Sequence, residues 1–191
     1  MKQDITHKIV IGLERISEAY KALLWEKAKA HNISPIQMQI LTFIDSHKIE
    51  LCNVSYIAKE FNVTKPTISD AIKVLNQKDL LEKDFSNADN RSYNLFLTKQ
   101  GKQLLKKIGN YFSPITNEIE KLTESKTNQL YTTLSQLIYQ LNKNQVLTVQ
   151  RTCFGCCYYS KNNNTHHCNL INSNLLDTEI RIDCPEFEIK A

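Results

Sequence analysis

A mainly helical fold with one small β-hairpin, followed by a short cysteine-rich segment, is what this sequence predicts. Glycine and proline, the residues that punctuate turns, number only four each in 191 residues, so long helices with few tight connections are expected. Apolar residues recur every three or four positions through most of residues 5–143, the period of a helix with one buried face. Five of the six cysteines lie at or beyond residue 153, where that period has stopped.

The elements follow in order. Ile5, Ile9, Leu13, Ile16, Tyr20 and Leu23 place one long amphipathic helix from Ile5 to about His31. Ser34 then caps a second helix with Pro35 in its first turn, where the missing N–H costs nothing. A third, short helix is expected from Val54 to Phe61, with Asn62-Val63 as the turn after it. Thr64 caps a fourth, Lys65 to Lys78. An extended piece over 81–85, a polar loop Ser86-Asn87-Ala88-Asp89-Asn90 and an alternating run over 92–97 read as a β-hairpin. Thr98 caps a long helix from Lys99 to about Leu122, broken or bent near Ser113-Pro114, and Ser125 opens a last one. In that last helix Leu130, Leu134, Ile138 and Leu141 form a narrow stripe suited to a helix–helix seam. The helical signal stops near 142–150, which sets a boundary at residue 148 between a first domain, 1–148, and a tail, 149–191.

Composition narrows the function classes. No apolar run approaches the roughly 20 residues that span a bilayer, and the charged, polar start Met1-Lys2-Gln3-Asp4 does not suit a signal peptide, so a cytoplasmic protein without a membrane partner is expected. The net charge is +4. Its positive excess lies in the middle of the chain rather than in the tail, as a nucleic-acid surface requires and as an ordinary solvated helix face also allows.

Two short helices with a tight turn between them, followed by a hairpin with a basic tip, form a winged helix-turn-helix arrangement, here over about 51–100. The fourth helix starts suitably for reading DNA. Thr64, Lys65, Pro66, Thr67, Ser69 and Lys73 put hydroxyls and ammonium groups on its N-terminal outer face, while Ile68, Ala71, Ile72 and Leu75 point inward. The helix N-terminus favours phosphate, hydroxyls donate to phosphates or base edges, and lysine adds charge. Arg91 at the hairpin tip is placed to enter an adjacent minor groove.

The run Thr64-Lys65-Pro66-Thr67-Ile68-Ser69, then Leu80-Leu81, Asp89-Asn90-Arg91-Ser92-Tyr93 and Leu97-Thr98-Lys99-Gln100-Gly101, together with Ser34-Pro35-Ile36-Gln37, resembles the MarR family of bacterial regulators over about residues 5–143. The resemblance implies a homodimer with interlocking first and last helices, two winged lobes on a palindromic operator, and a regulator of transcription, most simply a repressor. It implies Arg91 in the minor groove with Asp89 orienting the wing, and a small-molecule effector in the cleft between dimer and DNA-binding regions. Two departures stand out: Asp79 where relatives often carry glycine, and Arg91 as the one arginine of the wing.

In the tail, Cys153, Cys156, Cys168 and Cys184 follow a C-x2-C-x11-C-x15-C spacing, with Cys157 left over and His166 and His167 beside the third position. A C-x2-C turn containing glycine lets two thiolates reach one ion, and two further thiols complete a tetrahedron. A polar segment of this size has little core of its own, so Zn2+ is the leading expectation. An iron–sulfur cluster is the alternative, with Cys184 followed by Pro185 as in many cluster motifs. A disulfide framework does not suit a reducing compartment. Cys52 reads as a small core residue, and the two histidines as alternative ligands or exposed residues of an Asn-rich loop.

Two rival functions use the same residues. A thiol redox enzyme would use Cys153 and Cys156, but no βαβ pattern surrounds them. An adaptor would use a zinc-ribbon-like tail to bind another protein. No phosphate-binding loop, HExxH or other catalytic signature is present, so the chain is not expected to be an enzyme.

Overall fold

The computed structural model describes residues 4–85, 93–163 and 165–190. The chain is mainly helical and divides into two compact units, one of residues 1–54 and 65–116, the other of residues 55–64 and 117–191.

The first unit contains α1 (Ile5–Ala30), α2 (Pro35–Ser46), a short 3-10 turn (Ile49–Leu51), α4 (Lys65–Gln77), the hairpin β1 (Leu81–Asp84) and β2 (Asn94–Leu97), and α5 (Lys99–Ile108). Helix α2 starts as its sequence requires. The Ser34 hydroxyl accepts from the Gln37 N–H and the Gln37 side chain accepts from the Ser34 N–H, a capping box that satisfies two end donors, with Pro35 in the first turn. Helix α2 packs against α1, α4, α5 and β2. Met38, Ile40, Leu41, Ile68, Ile72, Leu75, Leu81 and Leu95 are all below 2% exposed, each stabilising the unit by about 1.5–3 kcal/mol. The hairpin is antiparallel, in the register Leu81↔Leu97 to Asp84↔Asn94, and its alternation buries Leu95 and Leu97 while Phe96 faces out. Loop residues 86–92 lie outside the described residues, Asp89 and Arg91 among them.

The second unit holds α3 (Val54–Glu60) apart from its first residue, and α7 (Glu124–Lys143) followed by the tail. Helix α6 (Ser113–Glu120) spans the division at Thr116. In the tail, β3 (Tyr159–Asn162), β4 (Thr165–Cys168) and β5 (Ser173–Leu175) form an antiparallel sheet in that order. The tail docks on α7 through an aromatic contact between Tyr139 and Phe154, 5.5 Å between ring centroids, and through the Tyr131 hydroxyl, which donates to the Ile180 carbonyl.

Two expectations are corrected and one is sharpened. The helix expected from Lys99 to about Leu122, broken or bent near Ser113-Pro114, is two helices: Gly109 ends α5 at φ +60°, a left-handed turn that a residue without Cβ makes at little cost, and α6 starts at Ser113-Pro114. Helix α7 begins at Glu124 after Thr123, one residue before the expected Ser125. The polar loop expected through 162–168 instead contributes to a β-hairpin, because residues 165–168 pair with both 159–162 and 173–175.

Candidate nucleic-acid interface and cysteine cluster

Helix α4 has two faces. Ile68, Ala71, Ile72 and Leu75 are buried, whereas Lys65, Pro66, Thr67, Ser69 and Lys73 are exposed, as is Thr64 before them. The 3.6-residue period accounts for the split. Asp70 is exposed between Ser69 and Ala71, so the outer face carries one carboxylate among its hydroxyls and ammonium groups.

The chain leaves α4 through Asp79, which takes φ +54°. That left-handed conformation explains why glycine suits the position and why aspartate, one of the side chains that tolerates it, can stand there. The turn is tied to the start of α5. The Thr98 hydroxyl donates to the Asp79 carbonyl at 2.6 Å and accepts from the Gly101 N–H at 3.0 Å, while the Gln100 amide donates to the Asp79 carboxylate at 2.7 Å. The Leu-Thr-Lys-Gln-Gly run therefore joins the end of α4 to the wing and to α5.

In the tail, Cys153 and Gly155 bound a 3-10 turn whose Cys156 N–H donates to the Cys153 carbonyl at 3.0 Å. Cys153 and Cys156 are buried, and Cys168 and Cys184 half-buried. The Arg181 N–H points at the Cys153 sulfur, 3.2 Å away. Burial pushes the Cys153 thiol above its usual range, the Arg181 N–H opposes this, and the negative charges of Cys184, Cys156 and Cys168 push it further up. The four cysteines singled out by spacing thus share one electrostatic neighbourhood. Among the described residues, however, no group of three or more His, Cys, Asp or Glu is arranged to hold a metal ion as it stands. Beside Cys153, the Thr152 hydroxyl is buried with no hydrogen-bond partner, and the four thiols are the soft kind of donor that zinc and iron–sulfur clusters take.

The remaining tail candidates have separate fates. Cys157 is exposed, its thiol 3.8 Å from the Glu188 carboxylate. His166 is 7% exposed and bonded on both ring nitrogens, Nδ1 with the Tyr159 hydroxyl at 2.5 Å and Nε2 with Asp177 at 3.1 Å. Nδ1 of His167 lies 2.9 Å from the Asn174 amide oxygen. Cys52, in the first unit, is buried, and its thiol is pushed up to about 11 by burial and by Glu50.

Sequence reasoning missed Arg151. Its side chain is 9% exposed and lies between Glu60 and Tyr56 of α3 on one side and Asp183 on the other. Burial alone would lower its pKa, but the bonds to Glu60, Asp183 and Tyr56 outweigh that and hold it above its usual value. The one hint in the sequence is position: Arg151 lies two residues before Cys153, and Asp183 immediately before Cys184.

A helix, a short connection, a second helix with a polar outer face and a following hairpin define a winged helix-turn-helix protein. Residues 31–92 match the model of the MarR family. Among solved structures, Staphylococcus aureus MepR in complex with DNA is 23% identical with a TM-score of 0.60, over 72% of this chain and 99% of that one. Staphylococcus aureus MarR in complex with salicylate and kanamycin is 21% identical, TM-score 0.63, over 73% and 93%. A MarR transcriptional regulator from Methanosarcina mazei Go1 is 18% identical, TM-score 0.59, over 73% and 99%. These likenesses establish the fold. No curated protein matches the chain. The family match ends at residue 92, so the cysteine segment lies outside it. Among the described residues, no helix is long and apolar enough to cross a membrane.

Proposed function

We propose that this protein is a transcriptional regulator, a repressor in its simplest form, that binds a palindromic operator as a homodimer. The observation that carries the reading is the division of α4, with Lys65, Thr67, Ser69 and Lys73 turned outward from a buried face in a fold shared with a DNA-bound MepR. Phosphate contacts from the lysines position the helix and the hydroxyls reach base edges. The dimer is supported by α1, whose Ile5, Ile9, Val10 and Ile16 are each more than half exposed, an apolar stripe that a second chain would cover. A small-molecule effector belongs to the same reading, since a MarR of this fold holds salicylate and kanamycin. The tail reads as a four-thiolate site of Cys153, Cys156, Cys168 and Cys184 for Zn2+, with an iron–sulfur cluster as the alternative.

The test is selection of duplexes from a random-sequence library by the full chain, followed by titration of the recovered duplex at several salt concentrations. A palindromic sequence bound by two chains is expected. Substituting Lys73→Ala should weaken binding to all sequences alike and lower the slope of log affinity against log salt by about 1. Recovery of no preferred duplex would remove the regulator reading. Anaerobic purification separates the metals: about one zinc per chain without colour, or brown protein with iron and sulfide. Neither metal would end the metal reading.

A further inference from the structure

Two adjoining cavities lie between α7 and the tail. The first, of about 240 Å³, is polar and is bordered by Thr132, Ser135 and Gln136 on the helix and by Lys161, His166 and Asp177 on the tail. The second, of about 430 Å³, has Leu137, Tyr139, Phe154 and Tyr159 as its apolar walls, a size that suits a small organic ligand. Gln136, Phe154 and Lys161 border both cavities, which therefore meet at those three residues.

Local periodicity builds both walls. Lys161 and His166 are directly opposed across β3 and β4, and Tyr159 stands two positions before Lys161 on the same face of the sheet. Along α7, Thr132, Ser135, Gln136 and Tyr139 follow the spacing of three or four that keeps residues on one side of a helix.

The polar cavity has one group of acceptors and one of donors. Asp177 gives one carboxylate oxygen to His166 Nε2 at 3.1 Å and is otherwise exposed, its second oxygen without a partner among the described residues. The Thr132 and Ser135 hydroxyls spend their hydrogens within α7, on the Asn128 carbonyl at 2.9 Å and the Tyr131 carbonyl at 2.8 Å. Towards the cavity they are left as acceptors. The Lys161 ammonium and the Gln136 amide supply donors, and neither has a partner among the described residues. Lys161 and Asp177 border one cavity without pairing with each other. A simple anion there would face Asp177, and a simple cation would face Lys161. A ligand carrying both charges satisfies both groups. The second cavity adds ring edges and faces, with Phe154 5.5 Å from Tyr139 and 5.6 Å from Tyr159 between centroids.

We propose that the cavities between α7 and the tail bind a free aromatic α-amino acid. Its carboxylate meets Lys161 and Gln136 where the cavities join, its ammonium meets Asp177, Thr132 and Ser135, and its ring enters the aromatic cavity beside Phe154. The site needs neither the DNA-binding reading nor the metal reading.

The experiment is isothermal titration calorimetry of the full chain with L-phenylalanine, with 3-phenylpropionate, which lacks the ammonium, and with 2-phenylethylamine, which lacks the carboxylate. L-Phenylalanine is expected to bind once per chain with a Kd below about 1 mM, and both analogues at least about fivefold more weakly, the worth of one partly exposed charge pair. Lys161→Gln should weaken L-phenylalanine by about the same factor and leave 2-phenylethylamine unchanged. Asp177→Asn should weaken L-phenylalanine and leave 3-phenylpropionate unchanged. Lys161 is exposed, so its substitution touches no core, and circular dichroism checks the fold of both variants. No heat of binding up to about 10 mM L-phenylalanine overturns the proposal. Equal binding of either analogue overturns it in favour of a site for a simple ion. Unchanged affinity in folded Lys161→Gln overturns it by placing the amino acid elsewhere on the chain.

Discussion

A Cβ placed on Gly101 would lie 2.0 Å from the carbonyl oxygen of Leu80, at the point where the first turn of α5 crosses the backbone leaving α4. Both partners are backbone, so no side chain can swing away. This is the physical reason for a glycine three residues after Thr98: that carbonyl also accepts the Thr98 N–H at 3.3 Å and cannot move without giving up the bond. Gly101→Ala is expected to destabilise the protein by about 3 kcal/mol, at the upper end of ordinary overpacking. Chemical denaturation measures it, and a variant within about 0.5 kcal/mol of wild type would refute the close approach.

The capping box of α2 gives a second prediction. Ser34→Ala removes the acceptor of the Gln37 N–H, and Gln37→Ala the acceptor of the Ser34 N–H. Each should cost about 1 kcal/mol. Because the two bonds hold one turn, the double variant should depart from the sum of the singles. Strict additivity would mean that the box does not act as a unit.

Cys52 and Cys157 should differ in reactivity. With its thiol pushed up to about 11 and its side chain buried, Cys52 stays neutral and closed at pH 8, whereas Cys157 is exposed. Brief alkylation of the native protein followed by mass spectrometry should label Cys157 and spare Cys52. The same shift has a stability consequence. In the unfolded chain the Cys52 thiol ionises near its ordinary 9.0 and in the folded chain near 11, so its contribution is whole below 9 and is lost as pH rises from about 9 to 11. Cys52→Ala should flatten the stability profile across that window, and an unchanged profile would contradict the assignment.

Tyr159 and His166 make the fourth prediction. The imidazole is buried between the Tyr159 hydroxyl and Asp177, and a proton on Nε2 facing Asp177 leaves Nδ1 to accept from the tyrosine. Tyr159→Phe strands that acceptor and should cost about 1–3 kcal/mol. Burial, then the charges of Cys153, Asp177 and Tyr139, hold the Tyr159 phenol above its usual range. Its contribution is therefore full below the ordinary tyrosine pKa and declines above it. Thermal unfolding of wild type and variant at neutral and alkaline pH should converge as pH rises, and a constant gap would argue against the bond.

Most of the helical order was legible in the sequence. Ser34-Pro35, Thr98 and the stripe of Ile68, Ile72 and Leu75 are local signals, because caps and the 3.6-residue period involve neighbours within a turn or two. The break near Ser113-Pro114 is local too, since proline suits the first turn of α6, and Gly109, able to take the left-handed turn, ends α5 four residues earlier. The strand at 165–168 was hidden because Asn-rich flanks suggest a loop, while its pairing depends on residues 159–162 and 173–175 closing around it. Spacing singles out Cys153, Cys156, Cys168 and Cys184, and the fold brings the other three near enough to Cys153 to act on its thiol without arranging a metal-holding group among the described residues.

The two faces of α4 were determined by the sequence itself, since periodicity along one helix fixes which side is apolar wherever the helix is placed. Tertiary structure alone decided that Arg151 meets Glu60, 91 positions earlier, and that His166 is enclosed rather than exposed. Those contacts depend on how loops of many residues close. Loop closure is governed by the packing of distant segments, and no local pattern of residues records it.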